Sequence, residues 1–350
     1  MTIERFISYG STLNVFDIDI DPQTQRVFFT DHDNNSLVVY DLKENRSSSI
    51  KVGAYPYAVE VNSVTSKAYV THICDCPIGY AVSVIDLSNG IDSATVMTID
   101  NASFPAARLA LNEKTNKVFV TSGTNSLTVI DGYTDKIANV VRVSALDIDI
   151  NHNSNTIYAI DGNKTLYKID GVTNSIVSNV TINDIPSDAI SKGADNRLVA
   201  LAVNPNTNVV YLVNQIILPP DPNRELFIPH SYLVAVNGTS ATIMNASIAQ
   251  IDSFGNFIAV NENNNKIYTK TVTLDGLKNQ ILYYNYLSSE ENIGAAVIDQ
   301  LSNKLYLRGQ TGIFVVSDVG SSIPEFESGI LVVAASSIVM VISLQKYRKS

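Results

Sequence analysis

The sequence contains few of the residues that carry most catalytic and metal chemistry. It has four histidines, two cysteines and no tryptophan among 350 residues. Two cysteines cannot alone form a four-ligand structural zinc site, and no serine elbow or Gly-rich phosphate loop is present. Charged residues make up only 17%, and the net charge is −10. Because no basic patch stands out, binding to nucleic-acid phosphates is not expected.

The sequence is rich, by contrast, in one internal repeat. At seven places a polar residue is followed seven residues later by an aromatic residue. The pairs are Asp21 and Phe28, Asn62 and Tyr69, Asn112 and Phe119, Asn151 and Tyr158, Asn204 and Tyr211, Asn261 and Tyr268, and Asp299 and Tyr306. A fixed offset at a period of about 40 residues is typical of a β-propeller. We therefore predict an all-β fold with seven blades, and the lack of tryptophan argues against the WD40 type.

Each repeat is interpreted as a meander of four antiparallel strands, named A to D from the centre outwards. In the third repeat, strands A, B, C and D are predicted at residues 109–111, 117–121, 127–130 and 136–143. A short polar residue ends each strand C and is expected to bond its own turn. These residues are Asp41, Asp86, Asp131, Asp170, Asn237, Asn285 and Asp318.

The last blade lacks an outer strand, because the repeat ends after Asp318. We expect residues 6–9 to supply that strand and so to remove an open sheet edge. Only 14 residues separate Asn285 from Asp299, which predicts a short or absent outer strand in blade six. The predicted domains are a propeller over residues 1–320, a linker over 321–328, and a membrane segment with a basic tail over 329–350.

The repeat resembles the YVTN-type β-propeller family. The matching text is "YVTH" at residues 69–72, "FVTS" at 119–122 and "VNPNTNVVYLVN" at 203–214. The resemblance covers residues 3–318. It implies the propeller fold and a place among cell-surface and surface-layer proteins, many of which are archaeal.

The C-terminus predicts a membrane anchor. Residues 329–344 are apolar and uncharged, and a basic tail follows at 345–350. This pattern favours one transmembrane helix with the propeller outside the cell; a buried terminal element is the alternative. The "IPEF" text at residues 323–326 resembles archaeal PEF-type sorting signals, which implies processing by an archaeosortase. No signal peptide is visible after Met1, so the true start is expected upstream or the propeller lies inside.

Seven Asn-x-Ser/Thr sequons are candidates for glycosylation on an exported chain. They begin at Asn34, Asn45, Asn101, Asn163, Asn179, Asn237 and Asn245.

Insertions between repeats are predicted to share one face of the propeller, which marks that face for binding. They fall in the B–C loops of blades two, five and six and in the D–A loop after blade four. The longest, at residues 214–231, is stiff and apolar and is a candidate partner-binding loop, unless it folds back over the face. Its candidate contact residues are Ile216, Leu218, Pro220, Leu226 and Phe227.

Polar residues are predicted to collect at the central mouth of the same face. The candidates are Asp17, Asp19, Asp31, Glu60, His72, Asp147, Asp149 and Asp161. They could hold a divalent cation through oxygen ligands, bind a small cationic ligand, or line a solvated channel. If catalysis occurs, His72 is the predicted base and Asp31 or Asp161 orients it. Cys74 and Cys76 are interpreted as a strained disulfide, a soft-metal pair with His72, or free thiols.

Two functions remain open from the sequence. The first is a surface-anchored, non-catalytic propeller that binds an envelope protein or a glycan. The second is a propeller enzyme or ligand-binding protein, similar to lactonases or lyases, that uses the acidic mouth. Fold alone does not decide between them.

Overall fold

The computed structural model describes residues 2–9, 13–73, 81–100, 108–121, 126–162, 164–183, 193–217, 230–251, 257–285, 293–317, 331–335 and 338–342. Its strands form seven four-stranded antiparallel sheets, and the inner strands of successive sheets contact one another around a ring. The predicted seven-bladed propeller is confirmed.

The first four blades each run from the inner strand A to the outer strand D in chain order. Blade one contains β2 (Val15–Asp21), β3 (Arg26–Asp31), β4 (Ser36–Asp41) and β5 (Arg46–Lys51). Blade two contains β6 (Pro56–Asn62), β7 (Lys67–His72), β8 (Ala81–Asp86) and β9 (Thr95–Asp100), with a 3-10 turn at Ile91–Ser93. Blade three contains β10 (Leu109–Asn112), β11 (Lys117–Thr121), β12 (Leu127–Asp131) and β13 (Lys136–Val141). Blade four contains β14 (Asp147–Asn151), β15 (Thr156–Ile160), β16 (Thr165–Asp170) and β17 (Ser175–Thr181).

The remaining blades include the ring closure. Blade five contains β18 (Asp195–Asn204), β19 (Val209–Ile217), β20 (His230–Asn237) and β21 (Thr242–Ile251). Blade six contains β22 (Ala259–Asn261), β23 (Lys266–Tyr268), β24 (Val272–Asp275) and β25 (Gln280–Tyr284). Blade seven contains β26 (Ala295–Asp299), β27 (Lys304–Arg308), β28 (Gly312–Ser317) and, as its outer strand, β1 (Thr2–Ser8).

The N-terminal segment lies where the sequence assigned it. In β1, Phe6 is paired with Phe314 of β28 and Ser8 with Gly312. The two phenylalanine rings lie 4.9 Å apart between their centroids. The first strand of the chain thus pairs with the last strand of the propeller, which joins the two ends of the ring.

Blade six corrects one prediction from the sequence. The predicted strand C, which ends at Asn285, is the outer strand β25, and the true strand C is β24. The reason is the turn chemistry: the Asp275 carboxylate accepts the N–H groups of Leu277 and Lys278 at 2.9 and 3.2 Å, as the strand-C residues of other blades do. Blade six is therefore complete, and its B–C connection is a tight turn rather than an insertion.

The repeated polar residues form a ladder between blades. The residue that ends each strand A accepts N–H groups of its own turn; Asn151 Oδ1, for example, accepts from Asn153 and Ser154 at 3.0 and 3.1 Å. Its Nδ2 donates to Oδ1 of Asn208 in the next blade at 2.7 Å. Four other Asn pairs repeat this bond, and Gln25 and Asp299 link blades one and seven. The last turn residue before strand B, which is the Asn acceptor in blades three to seven, has φ between 50° and 59° in every blade, a conformation that Asn tolerates well.

The repeated aromatic residues fill the space between blades. Among the described residues, seven buried apolar clusters each combine two adjacent blades. Tyr158 of blade four is 1% exposed, and its hydroxyl donates to the Gly238 carbonyl of blade five at 2.9 Å. A Cβ at Gly238 would lie 2.4 Å from that hydroxyl. The repeat is thus mainly a packing device, because one blade cannot bury both of its faces alone.

The C-terminal segment differs from its prediction. The described part of residues 329–344 forms two antiparallel strands, β29 (Leu331–Ala335) and β30 (Ile338–Ile342). The predicted transmembrane helix is therefore not supported; the segment is rich in Val and Ile, which favour extended backbone. Among the described residues, no helix has the length and apolar character needed to cross a membrane.

Candidate functional site

The candidate site is a central channel surrounded by the seven inner strands. It is a polar cavity of about 440 Å³. We call the end that carries the D–A and B–C connections the loop face. Its upper tier, nearer the loop face, lies four residues before the end of strand A and contains Asp17, Arg108 and Asp147. Its lower tier lies two residues before that end and contains Asp19, Glu60 and Asp149.

Four of the channel carboxylates hold adjacent blades together. Asp17 and Asp19 accept the backbone N–H groups of Val59 and Val61, on the inner strand of blade two, at 3.1 and 2.7 Å. Blades four and five are joined in the same way. Asp147 and Asp149 of blade four accept the Leu201 and Val203 N–H groups of blade five at 2.9 and 2.8 Å. The repeated "DIDI" text thus encodes a clamp between inner strands, which we call the carboxylate clamp.

Burial makes these carboxylates hard to ionise. It raises the pKa of Asp19 to about 8 and that of Asp149 to about 7, against the opposing effect of their backbone N–H donors. Burial also raises the pKa of Asp17 and Asp147, while the Arg108 guanidinium acts in the opposite direction. At neutral pH the lower tier therefore carries less negative charge than its composition suggests.

Arg108 is compensated by its neighbours. Its Nε lies 4.0 Å from Asp147 Oδ1, and its guanidinium lies 5.5 Å from the centroid of the Tyr57 ring. Burial lowers the pKa of Arg108, but Asp147 and Asp17 outweigh that effect and hold it above its usual value. Arg108 is thus an internal counter-ion for the upper tier.

Two ionisable groups at the channel lack hydrogen-bond partners among the described residues. Within the described part of the chain, Glu60 has no hydrogen-bond partner; burial, and then the charges of Asp19 and Asp17, raise its pKa well above the usual value. The buried Nε of Arg308 also has no partner among the described residues, and burial lowers the pKa of this arginine. The guanidinium lies against Gly294, which lines the channel, because a Cβ there would be 1.7 Å from Arg308 Nη2.

A third polar group lies at the opposite end of the channel. His152 Nε2 is 3.2 Å from Glu262 Oε2, and both residues line the cavity together with Gln300. These residues and Arg308 are missing from our sequence-based candidates. Each of the three residues at this end directly follows the residue that ends strand A in its blade: His152, Glu262 and Gln300. Their shared position in the repeat could therefore have identified them from the sequence.

Three sequence candidates do not line the channel. The Asp31 carboxylate accepts Asn34 Nδ2–H at 2.7 Å, and Asp161 accepts the Thr165 N–H at 2.8 Å and the Tyr167 hydroxyl at 3.0 Å. Both residues are buried in turns after strand B. The structure therefore separates Asp31 and Asp161 from the inner-strand carboxylates.

His72 is also outside the channel. It is 2% exposed, its Nε2 shares a hydrogen bond of 2.8 Å with Ser83 Oγ, and its ring fills the space beside Gly53. Burial lowers its pKa to about 4. The ring is therefore neutral at pH 7 and enclosed by protein, which does not suit the predicted role of a base acting on a ligand in the mouth.

The described residues contain no cluster of three His, Cys, Asp or Glu side chains that could hold a metal ion. The inner-strand carboxylates instead face backbone N–H groups and Arg108. The divalent cation expected at the mouth thus has no ligand set in the described part of the chain.

The other sequence candidates lie at the periphery or outside the described residues. Ile216 is 3% exposed, so this residue of the predicted partner loop is buried. Leu218, Pro220, Leu226, Phe227, Cys74, Cys76 and the sequons at Asn101 and Asn163 lie outside the described residues. The sequon residues that are exposed are Asn34, Asn45, Asn179 and Asn245. Asn237 caps its own turn through Oδ1.

Comparisons with known proteins identify the fold alone. No protein-family model matches the sequence, and no curated protein matches it. Among solved structures, hydrazine synthase of Kuenenia stuttgartiensis is similar, with a TM-score of 0.70 and 13% identity over 90% of this chain and 97% of that chain. Because 1589 solved chains match, the architecture is common. The class is a seven-bladed β-propeller with a charged central channel.

Proposed function

We propose that this protein is a non-catalytic binding propeller at the cell surface, which contacts an envelope protein or a glycan through its loop face. The observation that carries this proposal is the position of His72. It is buried, bonded to Ser83 and outside the channel, so the favoured catalytic base is unsuited to its role. Asp31 and Asp161, its expected partners, serve their own turns.

The loop face is supported by the lengths of its connections. The chain between β7 and β8, between β17 and β18, between β19 and β20, and between β25 and β26 is longer than the tight A–B turns of the opposite face. Long connections on one face usually carry binding. The surface location rests on the sequence, through the apolar segment at residues 329–344, the "IPEF" text and the resemblance to YVTN-type proteins.

The test replaces residues 218–229 with a short Gly-Ser linker and measures binding of the full chain to cell envelopes of the source organism. We expect binding to fall at least tenfold. The control replaces Tyr133 and Val172, which are 73% and 72% exposed on turns of the opposite face, with Ser and should bind normally. Equal binding by the loop variant and the unmodified chain would contradict the proposed face.

The second candidate function is a ligand-binding or enzymatic channel. The cavity and its His152–Glu262 pair favour it, since a His near a carboxylate can move protons. A screen of lactones and esters would test catalysis. Turnover that His152→Gln abolishes, while His72→Gln retains it, would favour an enzyme over the non-catalytic proposal.

A further inference from the structure

We propose that the channel binds a short linear zwitterion, whose carboxylate is held by Arg308 and whose ammonium is held by Glu60. This site does not depend on surface attachment or on the loop face, so it is separable from the proposed function.

The first step of the argument is the charge that remains after internal pairing. Asp17, Asp19, Asp147 and Asp149 are occupied by backbone N–H groups of the next blade. Arg108 is held by Asp147. Within the described residues this leaves two groups at the channel without hydrogen-bond partners, the Arg308 Nε and the Glu60 carboxyl. Burial raises the pKa of Glu60, and a ligand ammonium beside it would favour the ionised form. One ligand with both charges would therefore satisfy the two groups together.

The second step is the space that the chain provides for Arg308. Gly294 has no side chain, and the Arg308 guanidinium occupies the position where its Cβ would be. The small residues Ala295 and Ala296 line the channel beside it. The guanidinium thus lies against the channel wall at Gly294, the residue before β26, where a planar carboxylate in the cavity can accept parallel N–H donors from it.

The third step is the spacing of the two charges. Arg308 pairs with Ala295, in the upper tier, and Gly294 lies one residue nearer the loop face. Glu60 lies in the lower tier, two or three residues further along the axis. At about 3.3 Å per residue, the offset along the channel axis is about 7–10 Å, and the separation of blades seven and two across the channel adds to it. An extended peptide of about three residues or a long ω-amino acid spans such a distance, and a cavity of about 440 Å³ accommodates it.

The test is calorimetric titration of the full chain with three probes: triglycine, N-acetyltriglycine and triglycinamide. Triglycine carries both charges, and each blocked probe lacks one. We expect triglycine to bind, and each blocked probe to bind about 10- to 100-fold more weakly, because a charge-assisted hydrogen bond is lost. Absence of triglycine binding, or equal affinity for the three probes, would overturn the proposal.

Three variants assign the two ends of the ligand. Arg308→Gln should bind triglycine and triglycinamide equally, and Glu60→Gln should bind triglycine and N-acetyltriglycine equally. Gly294→Ala keeps every charge but displaces the guanidinium, so it should weaken triglycine binding about tenfold. Arg142→Gln removes an exposed arginine and should bind normally.

Thermal unfolding distinguishes misfolding from lost binding, because each folded variant keeps a cooperative transition. Triglycine should raise the unfolding midpoint of the unmodified chain more than that of Gly294→Ala at the same concentration. If Arg308→Gln is folded and retains the full preference for triglycine over triglycinamide, Arg308 does not hold the carboxylate and the proposal is wrong.

Discussion

Asp149→Asn should change the stability of the propeller in a way that depends on pH. Burial raises the pKa of Asp149 to about 7, whereas an unfolded aspartate titrates near 3.8. The folded chain therefore binds a proton more tightly than the unfolded chain between these values. Stability is greatest below the unfolded pKa and falls as pH rises through the window from about 4 to about 7.

The magnitude follows from the two pKa values. A difference of about 3 units corresponds to roughly 4 kcal/mol, and because the channel is open to water we expect about half, about 2 kcal/mol. Asn has no charge to desolvate. The free energy of unfolding of the variant, relative to that of the unmodified chain, should therefore rise by about 2 kcal/mol between pH 4 and pH 8. The variant starts lower at pH 4, because Asn has one acceptor oxygen whereas Asp149 uses both of its oxygens for the Ile150 and Val203 N–H groups.

The assay is urea unfolding of both proteins from pH 4 to pH 8. Asp170→Asn serves as a control, because its effect on stability should change with pH in the opposite direction. The backbone N–H of Thr173, together with its hydroxyl, lowers the pKa of the exposed Asp170 carboxyl, so this variant should lose stability above the unfolded pKa and recover at acid pH. If Asp149→Asn is less stable than the unmodified chain at pH 8 but not at pH 4, the ionised clamp stabilises the fold and the reasoning is refuted.

Four further outcomes are expected from urea or thermal unfolding. Asn151→Ala should destabilise the chain by about 2–3 kcal/mol, since it removes one inter-blade bond and two turn bonds. Tyr158→Phe should cost about 1 kcal/mol, whereas Tyr133→Phe on an exposed turn should cost nothing. Deletion of residues 1–9 should lower the unfolding midpoint and promote aggregation, because the edge of β28 becomes exposed. Arg308→Gln should raise the midpoint while it abolishes carboxylate recognition.

The fold was predictable because its signals are local. An Asn in a tight turn and an aromatic seven residues later are determined by backbone conformation and by packing against the next blade. The prediction for blade six was wrong because "LYYN" at residues 282–285 resembles the ends of the C strands in other blades. The better signal was Asp275–Gly276, since Asp131, Asp170 and Asn237 also precede a glycine.

The site was only partly predictable because its geometry is not local. Asp31 and Asp17 both belong to blade one, yet Asp31 lies at the end of strand B and caps a turn, whereas Asp17 lines the channel. The sequence groups them by charge and position along the blade, and it does not give their distance from the axis. Arg308 was missed for the same reason, since its position depends on a glycine that precedes a different strand.

The ionisable residues of the channel fall into two groups, those that hold blades together and those that are candidates for ligand recognition. A carboxyl group that clamps the next blade contributes to closing the ring, and its presence needs no ligand. Glu60 occupies the same tier as Asp19 and Asp149, but among the described residues no backbone N–H of the next blade bonds to it. The Nε of Arg308 also has no partner among the described residues, although Asp17 is near enough to influence the pKa of this arginine. Neither group joins two blades in the described part of the chain, so both are candidates for the recognition of a ligand.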